Sequence, residues 1–414
     1  MKALSRVFTC LLVVIGGVAP GVRSGADAGG RGDPWLRHTI DRSGNGADGV
    51  RLGDANGDGL PDVVTGWEES GVVNICLNPG PEKVRGVWPS VAVGQVRSVE
   101  DAVFVDLDAD GALDVVSACE GETRRVYVHW APKDRSRYLD PMAWEALAIP
   151  ESMDRMQWMY VAPAQVDGAR GIDLVAGGKN RGAEIGWFEA PQDARDLPAW
   201  KWHPVSGAGW VMSLLPRDMD GDGDVDVVVS DRKGRMRGCR WLENPGKAVA
   251  ASGKWMNHDI GGRDVEVMFM TLDDLSQDGI PDAVAAAKPQ KLDVFLRKGG
   301  TGNAWERFSI PFPEGAGSAK AVASGDIDLD GKLDLAFSCE HAGGRSGVMW
   351  LSYAQAVTDS VWTGHEISGL EGAKFDLVQL LDLDGDGDLD VLTCEETENL
   401  GVFWYENPLR KSEP

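Results

Sequence analysis

Cysteine is scarce in this chain of 414 residues, with six in all. Cys10 falls in the apolar N-terminus, leaving Cys76, Cys119, Cys239, Cys339 and Cys394, an odd number that cannot pair fully within one chain. A disulfide scaffold is excluded. Positive charge is also short: 41 Lys and Arg stand against 65 Asp and Glu, a formal net charge of −24. Phosphate backbones would be repelled, which excludes nucleic acid as the partner. After the N-terminus no segment is apolar enough to cross a bilayer. Nor is there a nucleophile elbow, a phosphate-binding glycine loop or an HExxH pair. The 16 tryptophans and 43% hydrophobic residues argue for a packed core rather than disorder, and 53 glycines for many tight turns.

The first residues, MKALSRVFTCLLVVIGGVAPGVRSGADAGG, carry Lys2 and Arg6, then an apolar run from Val7 to about Pro20, then small residues. That layout predicts a secretory signal peptide over residues 1–28, cleaved near 24–28. The run is shorter than the roughly 20 residues of a membrane span. The expected locations are the periplasm, the cell surface or the medium.

An acidic pattern recurs seven times. GDANGDGLPDVV starts at Asp54, VDLDADGALDVV at Asp106, RDMDGDGDVDVVV at Asp218 and DDLSQDGIPDAV at Asp274. GDIDLDGKLDLAF follows at Asp326 and LDLDGDGDLDV at Asp382, while AQVDGARGIDLV puts Gln165 in the same register. The starts are separated by 52, 59, 53, 56, 52 and 56 residues. A second marker keeps the same period: a Trp followed at three and five residues by His or an apolar residue and by Ile or Val. It begins at Trp35, Trp88, Trp144, Trp200, Trp255, Trp305 and Trp362. A third, as in IGWFEAP, CRWLENP and VFWYENP, lies between them.

A period near 50 residues, built of short alternating or β-branched runs split by Gly and Asp turns, predicts an all-β, seven-bladed β-propeller of four-stranded blades. The chain opens with a fourth-strand marker at Trp35 and ends after a third-strand marker, so the N-terminal strand is expected to complete the last blade and remove two open edges. The domain runs over 35–408, after a leader at 29–34 and before a tail at 409–414.

In D-x-D-x-D-G-x-x-D, positions one, three, five and nine offer carboxylates, position seven a backbone carbonyl, and Gly at six admits a positive φ. Hard oxygens on a tight loop suit Ca²⁺. Six sites are predicted. The first three are Asp54, Asn56, Asp58, Asp62; Asp106, Asp108, Asp110, Asp114; and Asp218, Asp220, Asp222, Asp226. The others are Asp274, Ser276, Asp278, Asp282; Asp326, Asp328, Asp330, Asp334; and Asp382, Asp384, Asp386, Asp390. Asp388 is expected to lend its carbonyl and turn its carboxylate to water. Blade three, with Gln165, Asp167, Asp173 and Ala169, is expected to bind no ion.

These loops resemble the FG-GAP, or VCBS-type, repeat of integrin α-subunit propellers. The WYENP and WxxHxI motifs resemble a bacterial secreted branch of that repeat, and the propeller of fungal aldos-2-ulose dehydratase without the cupin-type domains that follow it there. The resemblance covers nearly the whole mature chain. It implies structural Ca²⁺ loops on the face opposite the ligand.

On that opposite face, six positions before each loop, stand Asp48, Glu100, Met159, Met212, Met268, Lys320 and Asp376. Turns after the second strands add Glu68, Glu120, Glu340 with His341, and Glu395. Blades three to five offer Lys179, Asn180, Asp231, Arg232 and Lys288, with Trp158 and Trp210 placed to stack on a sugar. The leading expectation is a monomeric binding or adhesion module for glycans or proteins. The alternative is a carbohydrate lyase or dehydratase using Lys320 with Asp48, Glu100 or Asp376. The histidines His38, His203, His258 and His365 share a fourth-strand register expected to pack rather than ligate.

Overall fold

Every apolar run that leads into an acidic turn forms a strand, and so does every β-branched run that leaves one. The computed structural model describes residues 32–299 and 304–410; the predicted signal peptide lies outside them. The innermost strands of the seven blades are Ala47–Gly53, Val99–Val105, Gln157–Ala164, Val211–Arg217, Val267–Asp273, Ser318–Gly325 and Phe375–Leu381. In each blade the second strand begins on loop position nine: Asp62, Asp114, Asp173, Asp226, Asp282, Asp334 and Asp390. These second strands are buried along their whole length, because each is sandwiched between neighbouring blades.

Seven four-stranded antiparallel sheets result. Six use consecutive strands. The seventh joins Phe375–Leu381, Asp390–Glu395 and Gly401–Glu406 to the N-terminal strand Leu36–Asp41, in register Leu36 with Glu406 and His38 with Trp404. The innermost strands touch around the ring, the first meeting the seventh. Closure therefore uses both ends of the domain, as the marker order predicts.

The two tryptophan-bearing motifs staple six of the blades. The third-strand Trp lies against the fourth-strand His in Trp404–His38, Trp187–His203, Trp241–His258 and Trp350–His365, with ring centroids 4.6, 4.7, 4.1 and 3.8 Å apart. In three of these the Glu of the ENP or EAP motif holds the same imidazole: Glu406 with His38 at 2.7 Å, Glu189 with His203 at 2.9 Å and Glu243 with His258 at 2.5 Å. The Trp that opens the other motif caps a turn, as Trp88, Trp144, Trp200 and Trp255 donate their indole N–H to the carbonyls of Val84, Tyr138, Ala194 and Ala250. Buried indoles need such acceptors.

The cysteines Cys76, Cys119, Cys239, Cys339 and Cys394 are buried and free. Burial pushes the Cys119 and Cys239 thiols up to about 12, so they act as small apolar core residues. No helix among the described residues is long and apolar enough to cross a membrane.

Candidate functional site

The acidic loops and the charged turns occupy opposite ends of the innermost strands. At the loop end, one hydrogen-bond scheme repeats. Loop position one accepts from the amide of the glycine at six, as Asp106 from Gly111, Asp218 from Gly223 and Asp382 from Gly387, each at 3.0 Å. That glycine has φ near +86° throughout, at +88° in Gly111, +86° in Gly223 and +87° in Gly387. Position nine is a clamp. One oxygen of Asp390 accepts from Leu383 N and the other from Asn407 N, both at 2.9 Å; Asp114 does the same with Leu107 and Ala131, and Asp226 with Met219 and Asn244. Each loop is thereby tied to the end of its own third strand.

Carboxylate oxygens of positions one, three and nine converge within 4.8 Å in four loops: Asp106, Asp108, Asp114; Asp218, Asp220, Asp226; Asp326, Asp328, Asp334; and Asp382, Asp384, Asp390. Such clusters can hold a metal ion. The donor set is all oxygen, and Asp326 Oδ1, Ser276 Oγ and Asp386 Oδ2 are buried without a hydrogen-bond partner, so the residues fit a hard cation. Burial pushes the Asp114 and Asp334 carboxyls up to about 7 and Asp390 to about 8, and repulsion from the neighbouring loop aspartates adds to the rise. In the loops of Asp54 and Asp274, Asn56 and Ser276 take the third position, and Asn56 donates to Asp58 at 2.9 Å.

One expectation is overturned here. Asp388 does not point its carboxylate to water: it is 2% exposed and accepts from Arg410 N at 2.8 Å. Asp224, at the same loop position in blade four, accepts from Lys247 N at 3.2 Å. An aspartate at position seven ties the loop to the turn after the third strand.

At the other end, a β-bulge interrupts every innermost strand where it pairs with the second, between Asp48 and Arg51, Val99 and Asp101, Trp158 and Tyr160, and Val211 and Ser213. The other three lie between Val267 and Met270, Ala319 and Ala321, and Phe375 and Val378. Bulges re-aim side chains. The register read from sequence holds in six blades, where Asp48, Glu100, Met159, Met212, Lys320 and Asp376 meet at the axis around a space of about 20 Å³; in blade five Met268 is fully buried and Phe269 lines the space instead. Above it opens a funnel of about 270 Å³, walled also by Glu68, Glu120, Lys179, Trp210, Arg232, Glu340 and Lys374.

Most of the lysines in and around the funnel are held by carboxylates. Lys320 Nζ lies 2.8 Å from Asp376 Oδ2, and Lys179 pairs with Glu100 at 3.0 Å and with Glu120. Lys288 pairs with Glu340, and Lys374 with Glu396. Burial, then the Asp376 and Glu100 carboxylates, raise Asp48 well above the usual carboxylate range, so it keeps its proton. Burial works against charge on Asp376, but Lys320 and the hydrogen bond from Asp48 outweigh it and hold the group below its ordinary value. Burial also opposes the Lys320 charge, yet Asp376 and Asp48 hold its pKa above the ordinary value. Lys320 is thus a fixed ammonium. Beside this cluster, Arg51 bridges to Asp101 at 3.0 Å and lies 4.2 Å from the Tyr160 ring centroid, linking three blades.

Two candidates are corrected. Trp158 is fully buried, stacked among Phe188 and Trp202, with its indole N–H donated to Ser152 O at 3.1 Å; an indole in the blade core has no face for a sugar. Glu395 is also fully buried and collects the amides of Ala373, Lys374, Thr397 and Glu398 at 3.0–3.2 Å, so it organises turns instead of facing a ligand. Its neighbour Glu396, with Lys374, faces the funnel group instead. Sequence register missed that pair because the turn offers two adjacent glutamates. His341 is exposed at the rim with φ +54°, 3.7 Å from Glu340.

Acidic turns at one end of a closed ring of seven four-stranded blades, with a charged funnel at the other, define a β-propeller with two unlike faces. Its repeats are FG-GAP-like: the model of the FG-GAP-like repeat matches residues 54–117 and 274–337. No curated protein matches the chain. Among solved structures, the crystal structure of BBS1N in complex with ARL6DN, soaked with mercury, superposes with a TM-score of 0.50 at 10% identity, covering 91% of this chain and 99% of that one. At that identity the likeness is one of fold alone.

Proposed function

We propose that this protein is an exported, calcium-stabilised propeller that binds a glycan or protein ligand at the funnel opposite its acidic loops. The observation that carries this reading is the set of seven bulges, beside which side chains from different blades meet near the axis and wall a polar cavity of about 270 Å³ at the end opposite the acidic loops. The acidic loops are the stapling end. Six of them hold one Ca²⁺ each, by the residues named above, and six divalent ions would offset half of the formal −24. When bound, the ion supplies only charge neutralisation and loop rigidity.

A lyase or dehydratase would need a base at the funnel floor. Lys320, held as ammonium by Asp376 and Asp48, does not supply one, and the floor around it holds about 20 Å³. Binding without turnover is the better fit.

The test is an array of neutral and acidic glycans together with immobilised proteins, probed with the intact protein in calcium, each hit then assayed for product. Retention that is lost with Glu120→Gln or Trp210→Ala, and no product, is the expected result. An array without a single hit would overturn the reading, and product formation would replace it with the enzyme.

A further inference from the structure

The funnel rim carries charge unevenly. In a chain of net charge −24, the turn after the second strand of blade four reads Arg232, Lys233, Gly234, Arg235, Met236, Arg237. Lys179 and Arg181 flank it from the matching turn of blade three, and Arg263 from the connection into blade five. Arg181, Lys233, Arg235, Arg237 and Arg263 are exposed. Glu100 and Glu120 neutralise Lys179, and beyond it counter-charge on this arc is thin. Glu266 stands 3.6 Å from Arg232 and 3.9 Å from Lys233, beyond hydrogen-bond reach. Asp259 is engaged by Arg263 at 2.7 Å and Asp264 by Arg307 at 2.5 Å. Asp231 is buried under Arg240 and the amides of Gly209 and Trp210. Among the described residues, Arg181 and Arg235 have no ion pair.

The arc converges on one indole. Lys179, Arg232 and Lys233 lie 4.7, 4.8 and 4.5 Å from the Trp210 ring centroid. The ring quadrupole offsets part of the repulsion among three cations, not all of it. Two donors there are also unsatisfied: Arg232 Nε and Trp210 Nε1 are buried without a hydrogen-bond partner, and both residues line the funnel cavity. An anionic acceptor seated beside them would relieve the like charges, and a small turn of either side chain would offer it the free donor.

We infer that this arc is a subsite for an acidic glycan bearing carboxylate or sulfate groups, with one anionic group seated against Arg232 and Trp210 and the polymer following Arg181, Arg235 and Arg237. The inference rests on reading the funnel as the ligand-binding face. A polyhydroxylated anion fits because the seat adjoins acceptors for hydroxyls, Glu68, Glu100 and Glu120, in the same cavity. An acidic peptide would bring its charge without the array of hydroxyl donors that those carboxylates can accept from.

Calorimetry on the intact protein in calcium, with polygalacturonate, dextran sulfate, uncharged dextran and polyglutamate, tests it. Both acidic polysaccharides should bind, more weakly as salt is added, and dextran should not. Arg235→Glu with Arg237→Glu, both exposed, should weaken binding by about tenfold or more with the melting temperature unchanged; Arg232→Ala should weaken it further. Dextran binding as tightly as the acidic polymers would overturn this inference while leaving the funnel as a ligand site. Polyglutamate binding equally well would reduce recognition to charge and overturn the glycan assignment. Polyanion binding indifferent to the rim variants would place it elsewhere and overturn the subsite. Silence from all four polymers overturns the subsite, and silence from the array as well overturns the funnel reading.

Discussion

The side-chain amide of Gln165 donates to the backbone carbonyl of Gly171 at 2.5 Å. The same nitrogen donates to Ala169 O at 2.9 Å, and the amide oxygen accepts from Gly168 N at 2.7 Å. Gly171 stands at loop position seven, whose carbonyl is the one a cation would use in the other blades. In blade three an amide from the chain itself takes that place. Rebuilding the loop as Gln165→Asp, Ala169→Asp, Arg170→Gly should raise the bound calcium, counted by mass spectrometry, by one ion per chain. It should also deepen the fall in melting temperature that EDTA causes. An unchanged count would show that the amide is not a substitute for an ion.

Position nine does a different job from the rest of the loop. Asp173 accepts from Val166 N and Ala190 N, both at 2.9 Å, in the blade without a cation-binding set. Asp173→Ala strands two buried amides, at about 1–3 kcal/mol each. The loss should be the same in calcium and in EDTA. Asp382→Asn, by contrast, should cost stability in calcium and little in EDTA, because Asp382 is exposed and an amide oxygen can still accept from Gly387. Denaturant melts in both buffers separate clamp from ligand.

His129 introduces a pH dependence unrelated to the acidic loops. It is fully buried, with Nε2 2.8 Å from Ser117 Oγ and Nδ1 3.3 Å from Val93 O, and burial pushes its pKa down to about 4. Above the unfolded value near 6.5 neither state is charged and His129 has no effect. As pH falls from there toward 4 the unfolded chain takes up a proton that the folded one refuses, so stability declines by about 3 kcal/mol over that window. His129→Gln should flatten this part of the stability profile. A profile that keeps its slope would assign it to other groups.

Lys320 and Asp376 are worth more together than apart. Lys320→Met leaves the Asp376 carboxylate buried without a counter-ion and should cost about 3–5 kcal/mol. Adding Asp376→Asn should recover part of that loss, giving a coupling well above the roughly 0–1 kcal/mol of exposed pairs. Additive losses in the double-mutant cycle would mean that the pair does not interact.

Much of this was legible in the chain. The period of the acidic loops and the Trp motifs gave seven blades, because strands of a propeller contact mainly their neighbours and each repeat must carry its own turn chemistry. The axial residues were also legible by register in six blades: Lys320 lies six residues before Asp326, and Asp48 six before Asp54; in blade five the wider bulge between Val267 and Met270 puts Phe269, not Met268, at the axis. Trp158 and Glu395 were not. Trp158 is the residue beside the bulge at Met159, and a shift of one residue in a strand moves a side chain from the axis to the blade core.

The sequence by itself determined the fold, the ring closure and the acidic end, all of which follow from local patterns repeated in register. Only the tertiary structure decided which charges meet. Lys320 with Asp376 and Lys179 with Glu100 are contacts between blades, the second pair 79 residues apart, and Coulomb pairing across such gaps leaves no period in the chain.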